Sequence, residues 1–365
     1  MKGSVQRRKI KRRKNRKRSA NGFVRFIILL LIIIIAFLAY RLANQHEAER
    51  INSRGFTHAA RFDDALVIDG IDVSAMQGKH VDWKTVKAAG VDFVILRAAY
   101  TDVSDGSFHK DIMFESHVRE AKDAGLMVGA YIFSQAVNVN EAAKEAKFLL
   151  KTIDGFEMDL PLVMDYETYA GGRLEKALSA GKLDGKTTTI VKSFCKEVEA
   201  KGYESMLYGN MHFLSNVLDG DKLADTTNIW VAHYASMTSY SGRYSFWQCS
   251  DNASVSGIPG NVDKDFWYID TNKGHRNISA AAGNKISISK ASIRFKKKNA
   301  IYYRFGGNVE PKMNVSHSFK NLREGKDYRL SYIRNSREGL AYVLITGIGE
   351  YKDSVIRPFE IKNWL

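Results

Sequence analysis

The sequence predicts an α/β protein: an irregular β/α (TIM-like) barrel, preceded by one N-terminal transmembrane helix and followed by a small all-β sandwich. Three observations lead there. From Val67 onward, a segment of helical period closing on glycine and followed by a short apolar strand recurs about every 30–40 residues. After Asp270 this gives way to short segments that alternate with period two. Ahead of both, a basic tail runs directly into fifteen residues without a charge.

Residues 1–25 carry twelve Lys and Arg and no acid. The formal net charge of +15 therefore belongs to the tail, because the other 43 basic and 40 acidic residues nearly cancel. That distribution argues against a nucleic-acid-binding protein. The uncharged run is assigned as an anchor over 26–42; with Phe23 and Val24 before Arg25, and Leu42 beyond Arg41, the apolar segment reaches about 30 Å if the arginines snorkel. Its basic flank keeps the N-terminus in the cytoplasm and places the rest outside. A cleaved signal peptide would export the same domains. The tail can also touch anionic headgroups, at about 1 kcal/mol per basic residue near the surface. Residues 43–65 read as a polar spacer.

The barrel is assigned to 66–272. Residues 84–89 end at Gly90 before a strand at 91–97, and 117–124 end at Gly125 before 126–133. Residues 141–153 precede Gly155 and the strand 160–164; residues 190–201 precede Gly202 and 206–208. Glycine just past a helix supplies the left-handed C-cap. Apolar runs in place of alternation imply strands covered on both faces, as in parallel sheets. Two more strands, 228–233 and 244–248, leave little room for helices, which suits a barrel whose second half sheds them. A Gly/Asn/Ala-rich linker fills 273–284. The sandwich is assigned to 285–365, with strands expected at 286–289, 300–305, 327–332, 341–346 and 358–361. Two cysteines, Cys195 and Cys249, make no disulfide framework and read as small buried side chains.

The chemistry is expected at the C-terminal ends of the barrel strands. Asp165 and Glu167 follow the apolar Leu162-Val163-Met164. Strand residues i and i+2 share a face, roughly 6.5–7 Å apart. Carboxylates so placed raise each other's pKa, so one can stay protonated while the other ionises, a division of labour that glycosidic cleavage uses. Alone, the pair also suits surface acids or a metal site, although no histidine lies nearby in sequence to complete a zinc set. Asp72 on the first strand and Asp263 on the last join the same rim. Trp230-Val231-Ala232-His233-Tyr234 and Phe246-Trp247-Gln248 bring aromatic faces and polar donors, which suit a neutral sugar.

The ordered series Gly70-Ile71-Asp72-Val73-Ser74, Gln77-Gly78, Asp82-Trp83, Phe93–Ala98, Val128–Tyr131, Met164–Glu167, Trp230–Tyr234, Trp247-Gln248 and Gly260–Asp263 resembles the glycoside hydrolase family 25 lysozymes. The resemblance implies a peptidoglycan hydrolase that cleaves the β-1,4 bond between N-acetylmuramic acid and N-acetylglucosamine. It implies Glu167 as general acid/base and Asp165 as the residue that orients the substrate N-acetyl group or stabilises an oxazolinium-like intermediate. Asp72 and Asp263 would complete the acidic rim, and Tyr131, Tyr100, Gln77, Tyr234, Trp247, Gln248 and Arg97 would bind substrate. No cofactor and no metal are implied, and the partners are peptidoglycan glycan strands and membrane lipid. The expected location is the bacterial cell membrane, single-pass, with the catalytic domain on the wall side. The sequence departs from the family at Ala75-Met76, where a His-Trp pair is usual, and at Tyr166, which replaces an aliphatic residue and is expected to pack. His233 is expected in the rim or core without a catalytic role. The C-terminal part resembles bacterial Ig-like repeats, through Leu322–Tyr328, Ser331-Tyr332 and Ile345–Tyr351. Two alternatives stay open: a catalytically inactive wall-binding scaffold on this fold, and a hydrolase of another N-acetylated glycan such as chitin.

Overall fold

The computed structural model describes residues 55–276, 283–297 and 300–363, together with Ile35. The expected basic tail, the anchor over 26–42 (Ile35 apart) and the spacer up to residue 54 lie outside the described residues. Among the described residues, no helix is long and apolar enough to cross a membrane.

Eight strands close a barrel: β1 (Ala65–Val73), β2 (Phe93–Thr101), β4 (Met127–Ser134), β5 (Leu162–Tyr166), β6 (Ser205–Asn210), β7 (Asn228–Ala232), β8 (Phe246–Ser254) and β9 (Asn261–Asp270). A short β3 (Phe108–Lys110) pairs antiparallel with β2 as a flap. The strands from β1 to β8 run parallel around the barrel, whereas β9 is antiparallel to both β8 and β1 and closes it. The helices sit outside: α1 (Trp83–Ala88), α2 (Phe114–Asp123), α3 (Val139–Thr152), α4 (Arg173–Ser179), α5 (Thr187–Glu199), and the short α6 (Met211–Asn216) and α7 (Gly220–Leu223). Local chemistry fixes their ends. The Asp82 and Asn138 side chains accept from Thr85 N and Glu141 N at 3.1 and 3.0 Å, capping α1 and α3. Gly90, Gly125, Gly155 and Gly202 all have positive φ just past a helix, as the spacing predicts.

Beyond the barrel come β10 (Ile286–Ser287), β11 (Ser292–Phe295), β12 (Ile301–Arg304), β13 (Met313–His317), β14 (Lys320–Asn321), β15 (Tyr328–Ile333), β16 (Gly339–Gly347), β17 (Tyr351–Lys352) and β18 (Ser354–Asn363). A four-stranded sheet, β12-β18-β16-β15, shares a core with the three-stranded β11-β13-β14. The expected strand 286–289 stops at Ser287, because Ile288–Lys290 turn into a 3-10 helix capped by the Ser287 hydroxyl.

Both faces of the four-stranded sheet carry buried residues. Val343, Ile345 and Phe359 face the three-stranded sheet. Ile333, Leu344 and Ile356 instead pack into the barrel with Leu66, Ile68, Met127, Leu160, Trp267 and Ile269, which line the end opposite the C-terminal strand ends. Arg334 N donates to Asp92 Oδ1 at 2.9 Å, and that carboxylate also pairs with buried Lys87 at 2.7 Å. His275, at the start of the expected linker, holds Glu204 at 2.9 Å. The C-terminal sheets thus stopper the barrel. The near-neutral charge outside the tail is also a sum of unlike parts: residues 66–272 hold 29 acidic and 20 basic residues, and 273–365 hold 7 and 19.

Candidate active site

Each barrel strand has an inner column of side chains that changes character along its length. On β9 the column reads Asp263, Asp265, Trp267, Ile269; on β1 it reads Asp72, Gly70, Ile68, Leu66, in opposite direction. Because β9 is antiparallel, its beginning lies at the rim, and Asp263 sits beside Asp72 in the ladder. Gly70 is required one layer down, since a Cβ there would meet the Phe93 ring at 2.1 Å.

The rim gathers Asp72, Arg97, Tyr131, Asp165, Tyr208, Gln248 and Asp263, with Asp265 one layer down opposite Gly70 and Glu167 one residue past β5. Gln248 organises it. Its Nε2 donates to Asp72 Oδ2 at 2.7 Å, and its Oε1 accepts from Tyr208 and Tyr234 hydroxyls at 2.8 and 3.0 Å. Trp230 Nε1 donates to Asp265 Oδ1 at 2.9 Å. Arg97 Nε is held by Asp111 at 2.8 Å, while its guanidinium lies 5.5 Å from the Tyr100 ring centre. Asp165 Oδ1 is buried and has no hydrogen-bond partner.

Crowding acids in a half-dry layer favours protons over charge. Burial, then the charges of Glu167 and Asp72, push Asp165 well up, with Arg97 partly opposing. Burial and Asp263 raise Asp72. Burial and Asp263 push Glu167 up to about 7, and burial and Asp251 push Asp263 up to about 6. Buried Asp265 is raised by desolvation and by Asp72 and Asp263. The contact between Asp72 and Asp265 acts in opposite directions on the two, lowering Asp72 and raising Asp265.

Of the expected sugar-binding residues, Trp247 points away from the rim, and the Gln77 side chain is engaged in the turn after β1. Trp247 is fully buried in the layer between barrel and helices, donating to His233 O at 2.9 Å. Adjacent strand residues face opposite ways, so with Gln248 inward, Trp247 must point out. Gln77 Oε1 accepts from Ser74 N at 3.0 Å and closes the turn after β1. Tyr166 likewise points outward, its hydroxyl donating to Ala136 O at 2.9 Å. His233 Nδ1 meets Thr238 Oγ1 and Ser239 N, organising its own loop. Sequence reasoning passed over Asp265 and Tyr208. Asp263-Lys264-Asp265 repeats the spacing of Asp165-Tyr166-Glu167 and could have revealed the first.

Residues 71–258 match the sequence profile of Glycosyl hydrolases family 25, just over half of the chain. The chain belongs to glycosyl hydrolase family 25. As a member it is a glycosidase of the lysozyme type. It is similar to Lysozyme M1 of Streptomyces globisporus, 29% identical over 211 residues that cover 55% of this chain and 68% of that protein. It is also similar to the autolytic lysozyme of Clostridium acetobutylicum, 28% identical over 197 residues. That match takes in 54% of each chain, so the family 25 chain spans about half of this relative's length. A solved bacterial lysozyme from Streptomyces coelicolor aligns with 27% identity and a TM-score of 0.46, covering 60% of this chain and 97% of that one.

Proposed function

We propose that this family 25 enzyme hydrolyses the β-1,4 bond between N-acetylmuramic acid and N-acetylglucosamine in peptidoglycan. The observation that carries the reading is the single rim layer of Asp72, Asp165 and Asp263, with Glu167 above it held protonated up to about pH 7. A carboxylic acid in that range donates its proton to the glycosidic oxygen as the C1–O bond breaks, then takes one back from the attacking water. Asp165, with its unpartnered Oδ1, accepts the substrate's N-acetyl N–H and stabilises the positive charge that develops near the anomeric carbon. Gln248 and Asp265 keep Asp72 fixed and partly neutral, while Arg97, Tyr131, Tyr100 and Tyr234 bind the sugars. Digestion of purified walls followed by mass spectrometry tests this. Reducing-end N-acetylmuramic acid supports it; reducing-end N-acetylglucosamine, products from chitin alone, or binding without release refutes it.

The rest of the chain extends the proposal. Residues 26–42 anchor the protein in the bacterial membrane, with the basic tail inside and the barrel on the wall side. The C-terminal sheets form an Ig-like module. Protease treatment of intact protoplasts checks the topology: cleavage of the barrel is expected, and full protection contradicts it.

A further inference from the structure

Among the buried titratable groups that this chemistry leaves unused is Glu145. It lies on the inner face of α3 with Ala142, Ala146 and Leu149 and is fully buried. An acid there is costly unless its oxygens are paired. Three donors meet it: Thr101 Oγ1 at 2.7 Å and Gln135 N at 3.1 Å on Oε1, and Ser134 Oγ at 2.5 Å on Oε2. Thr101 and Ser134 are the last residues of β2 and β4, so the carboxyl grips two neighbouring strands at the rim.

What it grips leads to Glu167. The Gln135 side chain crosses toward β5, where Nε2 donates to the Glu167 backbone carbonyl at 2.9 Å and to Ser134 O at 3.1 Å. The loop around it is fastened on its other side. Arg173 donates to Gln135 O at 2.9 Å and forks onto Glu141 at 2.7 and 3.1 Å, and Glu141 accepts from Val137 N at 3.0 Å. Glu167 lies one residue beyond the last β4–β5 ladder pair, Ser134 with Tyr166, so the sheet itself does not hold it.

We propose that Gln135, clamped by Glu145, is a positioning residue that fixes Glu167 for proton transfer. The bond acts on the main chain of Glu167 and leaves its carboxyl open to substrate. It sets where the carboxyl sits relative to Asp263, the neighbour whose charge, after burial, holds the proton on Glu167. Without it the strand end turns toward water, the carboxyl leaves the acidic layer, and its proton affinity falls toward that of an ordinary glutamate.

The inference rests on Glu167 being the general acid/base. The test measures kcat, KM and the pH profile of kcat for the full chain on purified peptidoglycan, comparing wild type, Glu167→Gln and Gln135→Leu. For Gln135→Leu, kcat is expected to fall roughly 30-fold and the basic limb to move down about one pH unit, with KM within about twofold. An unchanged kcat per folded molecule and an unmoved basic limb overturn the inference, even if the melting temperature drops. Ser134→Ala deletes one hydroxyl and is expected to move both readouts the same way, roughly threefold in kcat; it decides the matter where Gln135→Leu does not fold. Glu145→Gln keeps an oxygen for Thr101 and Gln135 N, so it is expected to retain more kcat than Glu145→Ala. Equal losses in the two overturn the clamp. Undiminished activity in Glu167→Gln removes the reading beneath, and the inference with it.

Discussion

The two ends of the barrel are built from the same strands and behave as opposites. At the closed end, Leu66, Ile68, Met127, Trp267 and Ile269 meet Ile333, Leu344 and Ile356 of the C-terminal sheet in a dry apolar plug. Toward the other end of the same strands, Asp72, Asp165, Asp263 and Asp265 crowd together with raised pKa values and an unpartnered oxygen. The plug contributes stability by removing apolar surface from water. The rim stores unfavourable electrostatics, tolerable because the other end over-determines the fold. The C-terminal sheet is therefore part of the catalytic unit's core, as well as any module it makes in its own right.

That contrast breaks first at Glu167. Glu167→Gln is expected to lose roughly 10²–10⁴-fold in kcat while keeping or raising the melting temperature, because the substitution removes an acid from a crowded layer. Turnover assays with calorimetry check both halves. At the other end, Ile333→Ala is expected to cost about 2–5 kcal/mol of stability by opening a cavity in the plug. Its kcat on the remaining folded protein should match wild type at low temperature. A loss of kcat there without loss of stability would mean that the ends are not separable.

A smaller test concerns faces. Gln248→Leu is expected to lower kcat/KM roughly tenfold, since it strands Asp72, Tyr208 and Tyr234 without their shared partner. Its neighbour Trp247→Phe should leave kcat/KM within about twofold and destabilise by about 1–2 kcal/mol. This pair also marks the boundary of what the sequence discloses. In a barrel strand covered on both faces, apolar residues sit inside and outside, so Phe246-Trp247-Gln248 carries no alternation from which to assign the inner face. The carboxylates were legible because acids end otherwise apolar runs at Asp72 and at Asp165 and Glu167. The glycine caps were legible because Gly90, Gly125, Gly155 and Gly202 act locally. The seat of Asp265 next to β1 and the plug were not, because both depend on which distant segment arrives: β9 running backwards beside β1, and β16 seated under the barrel. Leu344 between Val343 and Ile345 did carry a hint, since three consecutive apolar residues suit a strand buried on both faces.

The ends should also part company with pH. Glu167 and Asp263 carry folded pKa values of about 7 and about 6, raised above ordinary carboxyl values, and Glu145 is likewise pushed up to about 7 by burial. Across that window the native chain binds more protons than the unfolded chain, so stability falls as pH rises from about 4 to about 7. Thermal melts should show the decline, and Glu167→Gln with Asp263→Asn should flatten it. Ile333→Ala should lower the whole curve without changing its slope. A slope left intact by the double carboxyl variant would place the titration somewhere other than the rim.

The smallest effect is expected where the rim meets open solvent. Met76 is 83% exposed in the turn after β1, at the position where the family resemblance calls for an aromatic platform. The turn itself is well fixed, by the Ser74–Gln77 capping box and by Asp111, which accepts from Ala75 N at 3.0 Å and also holds Arg97. A side chain placed there inherits a rigid base beside Arg97. Met76→Trp should therefore stack on a sugar ring and lower KM about threefold, since such contacts contribute roughly 0.5–1.5 kcal/mol. With the acids untouched, kcat and its pH profile should not move. A change in kcat instead would make this turn part of the proton-transfer machinery and would extend the electrostatic end of the barrel outward by one loop.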